Sequence, residues 1–264
     1  MVKGIVALAQ HVTSEDQLFL EKAWEWLQRV EQHYVPVLTD FLNPHQVTLV
    51  QNLARQTEVT IYNSADLWLT EQSRLLIAPD YYQLESEDFE MVLLAIYFQT
   101  QFGKLTHPQV LGSLIHQTGL DRRVFGDILI GQDQVQVFVQ APLAPLLIQE
   151  VKKIGRMGVR LQAVPKEDML QVDEDMQIKT IFVDSLRLDR LIASAFQLGR
   201  GKAAQLVKAN RVKVNYQERT DVSWSLQAGD VVSVRGKGRF YIGDHTGLSK
   251  SGRIKVELKI LARK

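Results

Sequence analysis

Helical spacing dominates the start of the chain. Leu18, Phe19, Ala23, Trp26, Leu27 and Val30, with the aliphatic stem of Lys22, recur as one apolar face of a helix that begins near Ser14. Asn43 followed by Pro44 predicts a second helix, with Asn as the cap and proline at the first helical position, where no N–H is required. Val47, Val50, Leu53 and Ala54 supply its inner side. Trp24 and Trp26 both fall in the first helical stretch, which assigns at least one of them to a core rather than to a stacking surface. Apolar runs at 59–62 and 75–78 predict two strands that complete a small mixed domain over residues 1–78.

The pattern then changes. Residues 89–98 form an apolar run that fits strand or helix by period alone and is read as a strand. His107-Pro108 opens a helix through Val110, Leu111, Leu114 and Ile115, which Gly119 ends. Residues 124–130 and 135–139 pair as a hairpin, 142–154 form a helix ended by Gly155, and 159–164 form a last strand. The order β-α-β-β-α-β predicts a ferredoxin-like (RRM-like) domain over 79–170. Modules of that shape stack bases on exposed aromatics of the central strands. Here Phe125 and Phe138 are the candidates, and the glycine-and-aromatic signature is missing. Lys152, Lys153, Arg156 and Arg160 are either weak RNA contacts or a solvated face.

Between 186 and 215 two short amphipathic patterns flank a basic turn. Leu188, Leu191, Ile192, Ala195 and Phe196 make one stripe, with Asp184 or Ser185 available as its cap. Ala203, Leu206 and Val207 make the second, which stops near Asn210, a residue that tolerates the left-handed conformation. In Arg211-Val212-Lys213-Val214-Asn215 the period of a strand puts the valines on one side and the cations on the other. Arg187, Arg190, Arg200, Lys202, Lys208, Arg211 and Lys213 are therefore candidate phosphate contacts, and Gln205 a candidate partner for a sugar or base edge. Lys and Arg bind phosphate mainly through charge and counterion release.

Arg187-Leu188-Asp189, Arg200 with Ala203, the strand 211–215 and Ala228-Gly229-Asp230 before Val231-Val232-Ser233-Val234 together resemble the S-four RNA-binding domain, named after ribosomal small-subunit protein four. Departures are Gly199 for Ser, Ala204 for a cation, Asn210 for Gly, and Tyr216 where Gly often follows the Asn. Charge agrees with the resemblance. The chain as a whole is +1, yet residues 181–264 hold 17 basic and 7 acidic residues, leaving the rest at −9. Such asymmetry points to nucleic acid, or an anionic membrane, at the basic end. No long amphipathic helix with a bulky apolar face favours the membrane.

Leu120-Asp121-Arg122-Arg123-Val124-Phe125-Gly126-Asp127-Ile128-Leu129, ahead of that C-terminal domain, makes nearly the whole chain resemble the YlmH family. The phototroph branch of that family is called photosystem II S-four domain protein. The resemblance implies an RNA-binding protein of the large ribosomal subunit, contacting ribosomal RNA with or without tRNA in rescue or quality control of the nascent chain. A photosystem II assembly or repair factor acting through protein partners on the acidic N-terminal body is the alternative.

An RNA-modifying enzyme is a third reading, because S-four domains are often fused to catalysts. The chain has no Cys, and its His residues show no metal-ligand spacing. It carries no P-loop and no GxGxxG after a strand. Gly236-Lys237-Gly238-Arg239 lies between strands and reads as a hairpin turn or a flexible phosphate contact. Asp121 and Asp127 are the candidate catalytic acids, but Asp121 sits where a helix or turn cap would. No catalytic residue, cofactor or metal is expected. The apolar run 5–9 is too short for a signal-peptide core and no run of about 20 apolar residues exists. A cytoplasmic protein with no DNA partner and no transmembrane segment is expected. The whole reads as α+β and multidomain: the mixed domain 1–78, the middle domain 79–170, an acidic linker near 165–177, and an S-four-type domain at 180–264 whose last strand alternates over 253–260.

Overall fold

The computed structural model describes residues 14–172, 176–248 and 252–262. The acidic run Asp173-Glu174-Asp175, the apolar run 5–9 and the terminal cations Arg263 and Lys264 lie outside them. Helices and strands occur in both parts of the chain, giving an α+β chain of two compact units that divide after Val172.

In the first unit, α1 (Ser14–His33) buries Leu20, Ala23, Leu27 and Val30. Leu18, expected on that face, is 71% exposed. It precedes Leu20 by two residues, about 200° around the helix, so only Leu20 can point inward. Trp24 and Trp26 both pack partly against this core. The N-cap of α1 lies outside the described residues. α2 (Pro44–Ala54) starts as the sequence requires: the Asn43 side chain accepts the Gln46 N–H at 3.0 Å and the Gln46 side chain accepts the Asn43 N–H at 3.1 Å. A short strand, β1 (Val37–Leu38), joins β2 (Val59–Asn63) and β3 (Leu75–Pro79) in the order β1-β3-β2.

A second, antiparallel sheet follows in the same unit, built from β4 (Met91–Phe98), β5 (Phe125–Ile130), β6 (Val135–Gln140), β7 (Lys153–Ile154) and β8 (Met157–Val164) in the order β5-β6-β4-β8-β7. α3 (His107–Thr118) and α4 (Ala144–Glu150) cover one face through Val110, Leu114, Ala144 and Leu147. The helix expected over 142–154 is shorter. Past Glu150 the chain turns extended at Val151, and Gly155, at φ +59°, closes a hairpin between β7 and β8.

The opposite face is closed. Leu93 and Phe138 form one cluster with Phe41, Leu76 and Phe89 from the first 90 residues. Gln136 donates to Asp168 O at 2.9 Å and accepts the Leu170 N–H at 2.7 Å, which holds the stretch expected to begin a linker against the sheet. Phe125 and Phe138 are fully buried, Phe125 beneath the helices and Phe138 in this cluster. Neither can stack a base.

The segment 120–129 clasps the loop at 71–72. Asp121 caps the turn Arg122–Val124, accepting the Arg123 N–H at 2.9 Å. Asp127 accepts the N–H groups of Glu71 and Gln72 at 2.6 and 2.9 Å. Burial pushes its carboxyl above the usual range, and those two donors offset only part of the rise. A Cβ on Gly126 would lie 2.6 Å from the Phe41 ring, so only glycine fits the junction.

The second unit is a six-stranded sheet with two helices on one side: β9 (Gln177–Val183), α5 (Leu188–Ala195), α6 (Arg200–Lys208), β10 (Val212–Val214), β11 (Gln217–Glu218), β12 (Val231–Val234), β13 (Gly238–Leu248) and β14 (Ile254–Ala262). The order is β11-β10-β12-β13-β14-β9. The sequence did not announce β9, which pairs with β14 at the sheet edge and leaves Ile178 and Phe182 exposed. Val212, Val214, Val232, Phe240, Val256, Leu258 and Ile260 face the helices. Within the stretch 236–239, Gly236 and Lys237 complete the hairpin turn between β12 and β13, with Gly236 at φ +80° and the Lys237 N–H on Val234 O at 2.9 Å, while Gly238 and Arg239 already belong to β13.

Candidate nucleic-acid interface

Asp189 organises the basic face. Leu188, Leu191 and Ile192 pull α5 onto the sheet and carry Asp189 inward with them, to 3% exposure. A carboxylate that far from water needs charged partners. Arg187 supplies two hydrogen bonds, at 3.1 and 3.3 Å, and Arg200 a third at 2.9 Å from Nε. Burial pushes the Asp189 carboxyl up, but the two guanidinium groups outweigh it and hold it below the usual range. The pairing fixes two arginines from different helices side by side. Arg200 remains half-exposed, and its terminal nitrogens have no protein partner among the described residues.

The helix start differs from expectation. Arg187, not Asp184 or Ser185, occupies the cap position of α5. Asp184 instead accepts a hydrogen bond from Arg190 and lies 3.2 Å from Arg253. Arg190 is thus engaged by a carboxylate of its own.

On α6, Ala203 and Val207 point into the core while Lys202, Gln205 and Lys208 are exposed. Neither lysine makes a hydrogen bond or ion pair among the described residues. Asn210, at φ +54°, ends the helix and presents Arg211 just beyond it. Arg187, Arg200, Lys202, Gln205, Lys208 and Arg211 therefore sit along the two helices and their exit. Lys213 does not join them: Val212 and Val214 face the helices, so Lys213 projects from the other side of the sheet, between Ser233 and Glu218.

Replacing Asp189 with Asn isolates this organising role. The variant should be less stable by about 1–3 kcal/mol in urea melts of the full chain at neutral pH, because two guanidinium groups lose their anion. The folded carboxyl is depressed, so its stabilisation is present above the unfolded value near 4 and disappears as pH falls through the lower folded value. The gap between wild type and Asp189→Asn should accordingly stay constant above about pH 5 and shrink below about pH 4. A gap unchanged down to about pH 2.5 would contradict the assignment.

Comparison with known proteins shows which family the chain resembles. Residues 15–82 fit the model described as "YlmH, N-terminal", 85–168 the model described as "Putative RNA-binding domain in YlmH", and 186–232 the S4 domain. A protein of Bacillus subtilis (strain 168), "Ribosome-associated protein quality control protein P2", is 31% identical over 247 residues, spanning 94% of this chain and 96% of that protein. The chain belongs to the YlmH family. A solved member, "Cell division protein ylmH from Streptococcus pneumoniae", is 38% identical with a TM-score of 0.55, covering 62% of this chain and 98% of that one. The YlmH RNA-binding domain model spans the sheet β4–β8, whose strand face is occupied by the chain's own N-terminal region. Neither relative's name mentions photosynthesis, and the photosystem expectation gains no support from them.

Among the described residues no group of three His, Asp or Glu is placed to hold a metal, and no helix is long and apolar enough to cross a membrane. Sequence reasoning passed over Asp189 as the anchor of the patch, although the triplet Arg187-Leu188-Asp189 marked the place. Arg219 and Trp224 were passed over entirely; five residues apart in a loop, they match no helical or strand period.

Proposed function

We propose that this YlmH-family chain is a cytoplasmic RNA-binding factor of the ribosome. It docks the α5–α6 face on structured RNA of the large subunit, ribosomal RNA with or without tRNA, during quality control of stalled nascent chains. The observation that carries the reading is the Asp189-centred pair of arginines continued by exposed Lys202 and Lys208 on α6, neither with a hydrogen-bond or ion-pair partner among the described residues. A buried anion spent on orienting two cations outward makes a rigid site for phosphate rather than a loosely charged surface. The relative named for ribosome-associated quality control supports the ribosomal context. Recognition, not catalysis, is the role: the two family models that cover the binding regions are an RNA-binding and an S4 domain.

Crosslinking the full chain to RNA in cells and sequencing the adducts tests this directly. Adducts concentrated in large-subunit RNA and tRNA, mapping to peptides of 187–211, are expected. Crosslinks confined to messenger RNA, or a chain that sediments away from large subunits, would overturn the ribosomal assignment.

A further inference from the structure

The loop 219–226 is bound to the start of α5 by backbone hydrogen bonds. The Leu188 N–H donates to Trp224 O at 2.9 Å, the Asp189 N–H to Val222 O at 3.2 Å, and the Leu226 N–H to Leu186 O at 2.9 Å. Asp221 shapes the turn, accepting the Ser223 N–H at 2.8 Å and its hydroxyl at 2.6 Å. The loop is therefore rigid, and it sets Trp224 beside the residues that form the arginine pair.

Trp224 is an unusual residue to find there. Its ring is capped by the Arg219 guanidinium, whose central carbon is 4.2 Å from the ring centroid, yet the residue is still 37% exposed. Arg219 donates to the Gln217 side chain, but its Nε is buried with no partner among the described residues. A fixed aromatic–guanidinium stack left open to water, next to phosphate-binding cations, has the chemistry with which proteins hold unpaired RNA bases.

We infer that Trp224 and Arg219 form a stacking site for one unpaired RNA base, adjacent to the phosphate contacts of Arg187 and Arg200. The inference rests on the RNA-docking reading above and adds to it a preference: a paired base must lose its pairing and stacking, a cost of about a few kcal/mol, before it can enter the site, so loops and bulges are favoured over continuous duplex. Stacking accepts any base, and the site selects for an unpaired nucleotide rather than for its identity.

The test uses the full chain and two RNAs, a hairpin with a single bulged nucleotide and the same stem fully paired. Trp224→Leu should weaken binding to the bulged RNA about tenfold and leave the paired stem unchanged, while Trp224→Phe retains most of the affinity. 2-Aminopurine at the bulge should be quenched by wild type and not by Trp224→Leu. Equal loss on both RNAs, or no loss on the bulged one, overturns the stacking site. Should Trp224→Leu fail to fold, the Trp224→Phe affinities and the wild-type 2-aminopurine signal decide: no quenching overturns it. Binding that survives charge reversal at Lys202 and Lys208 would sink the docking reading itself, whereas loss there with unaltered Trp224→Leu binding sinks the stacking site alone.

Discussion

Lys202→Glu combined with Lys208→Glu should lower affinity for structured RNA about 100-fold at 0.1 M salt, with an unchanged thermal melt. The two lysines are chosen because α6 holds them out with no protein partner among the described residues, so reversing them disturbs no packing. Reversing Arg200 is a poorer probe: it would place a carboxylate against Asp189, now 2.9 Å from Arg200 Nε, and confuse unfolding with lost binding. The salt dependence supplies a second readout. Five cations along the two helices and their exit predict a slope of log affinity against log salt of about −3.5, and losing two contacts should reduce it to about −2. A slope unchanged in the double variant would mean the phosphates lie elsewhere.

Arg74→Met should destabilise the first unit by about 3–5 kcal/mol, read from urea titrations of tryptophan fluorescence. Arg74 is 5% exposed and ties three backbone carbonyls together: Thr39 O at 2.7 Å, Phe89 O at 2.8 Å and Glu90 O at 2.9 Å. Burial lowers its guanidinium to about 10, with Glu90 and Asp40 opposing the fall, so it stays charged at neutral pH. Methionine fills the space but leaves those acceptors without a donor. Arg74→Lys should recover less than half the loss, since a single ammonium cannot reproduce the planar fork that reaches the residue just after β1 and the two just before β4 together. A loss under about 1 kcal/mol for Arg74→Met would show that water replaces the fork at little cost.

Much of the secondary structure was readable because its signals are local. Asn43-Pro44 and His107-Pro108 each opened a helix, as capping chemistry requires, and Gly119 ended one at φ +68°. The alternation of valine and cation in 211–215 put Val212 and Val214 in the core and left Lys213 outside. The same alternation shows why one convergent patch could not include every cation named from the sequence. Spacing assigns a face of the strand, and only the packed helices reveal that it is the face turned away from α6. Phe125 and Phe138 failed as stacking candidates for a related reason. Their strand placement was right, but what covers each side of a sheet is supplied by residues as distant as Phe41 and Phe89.

By itself the sequence determined the α+β class, the basic C-terminal module and the helix–turn–helix–strand order that carries its cations, because hydrophobic period, capping residues and net charge act over a few residues or over whole segments. The tertiary structure decided the rest: that Asp189 is buried between Arg187 and Arg200, that Asp184 engages Arg190, that Asp127 clasps the loop at Glu71, and that Trp224 stands capped by Arg219. These depend on groups brought within about 4 Å by folding, where loss of water makes an ion pair or a stacked ring count, and no period along the chain encodes such distances.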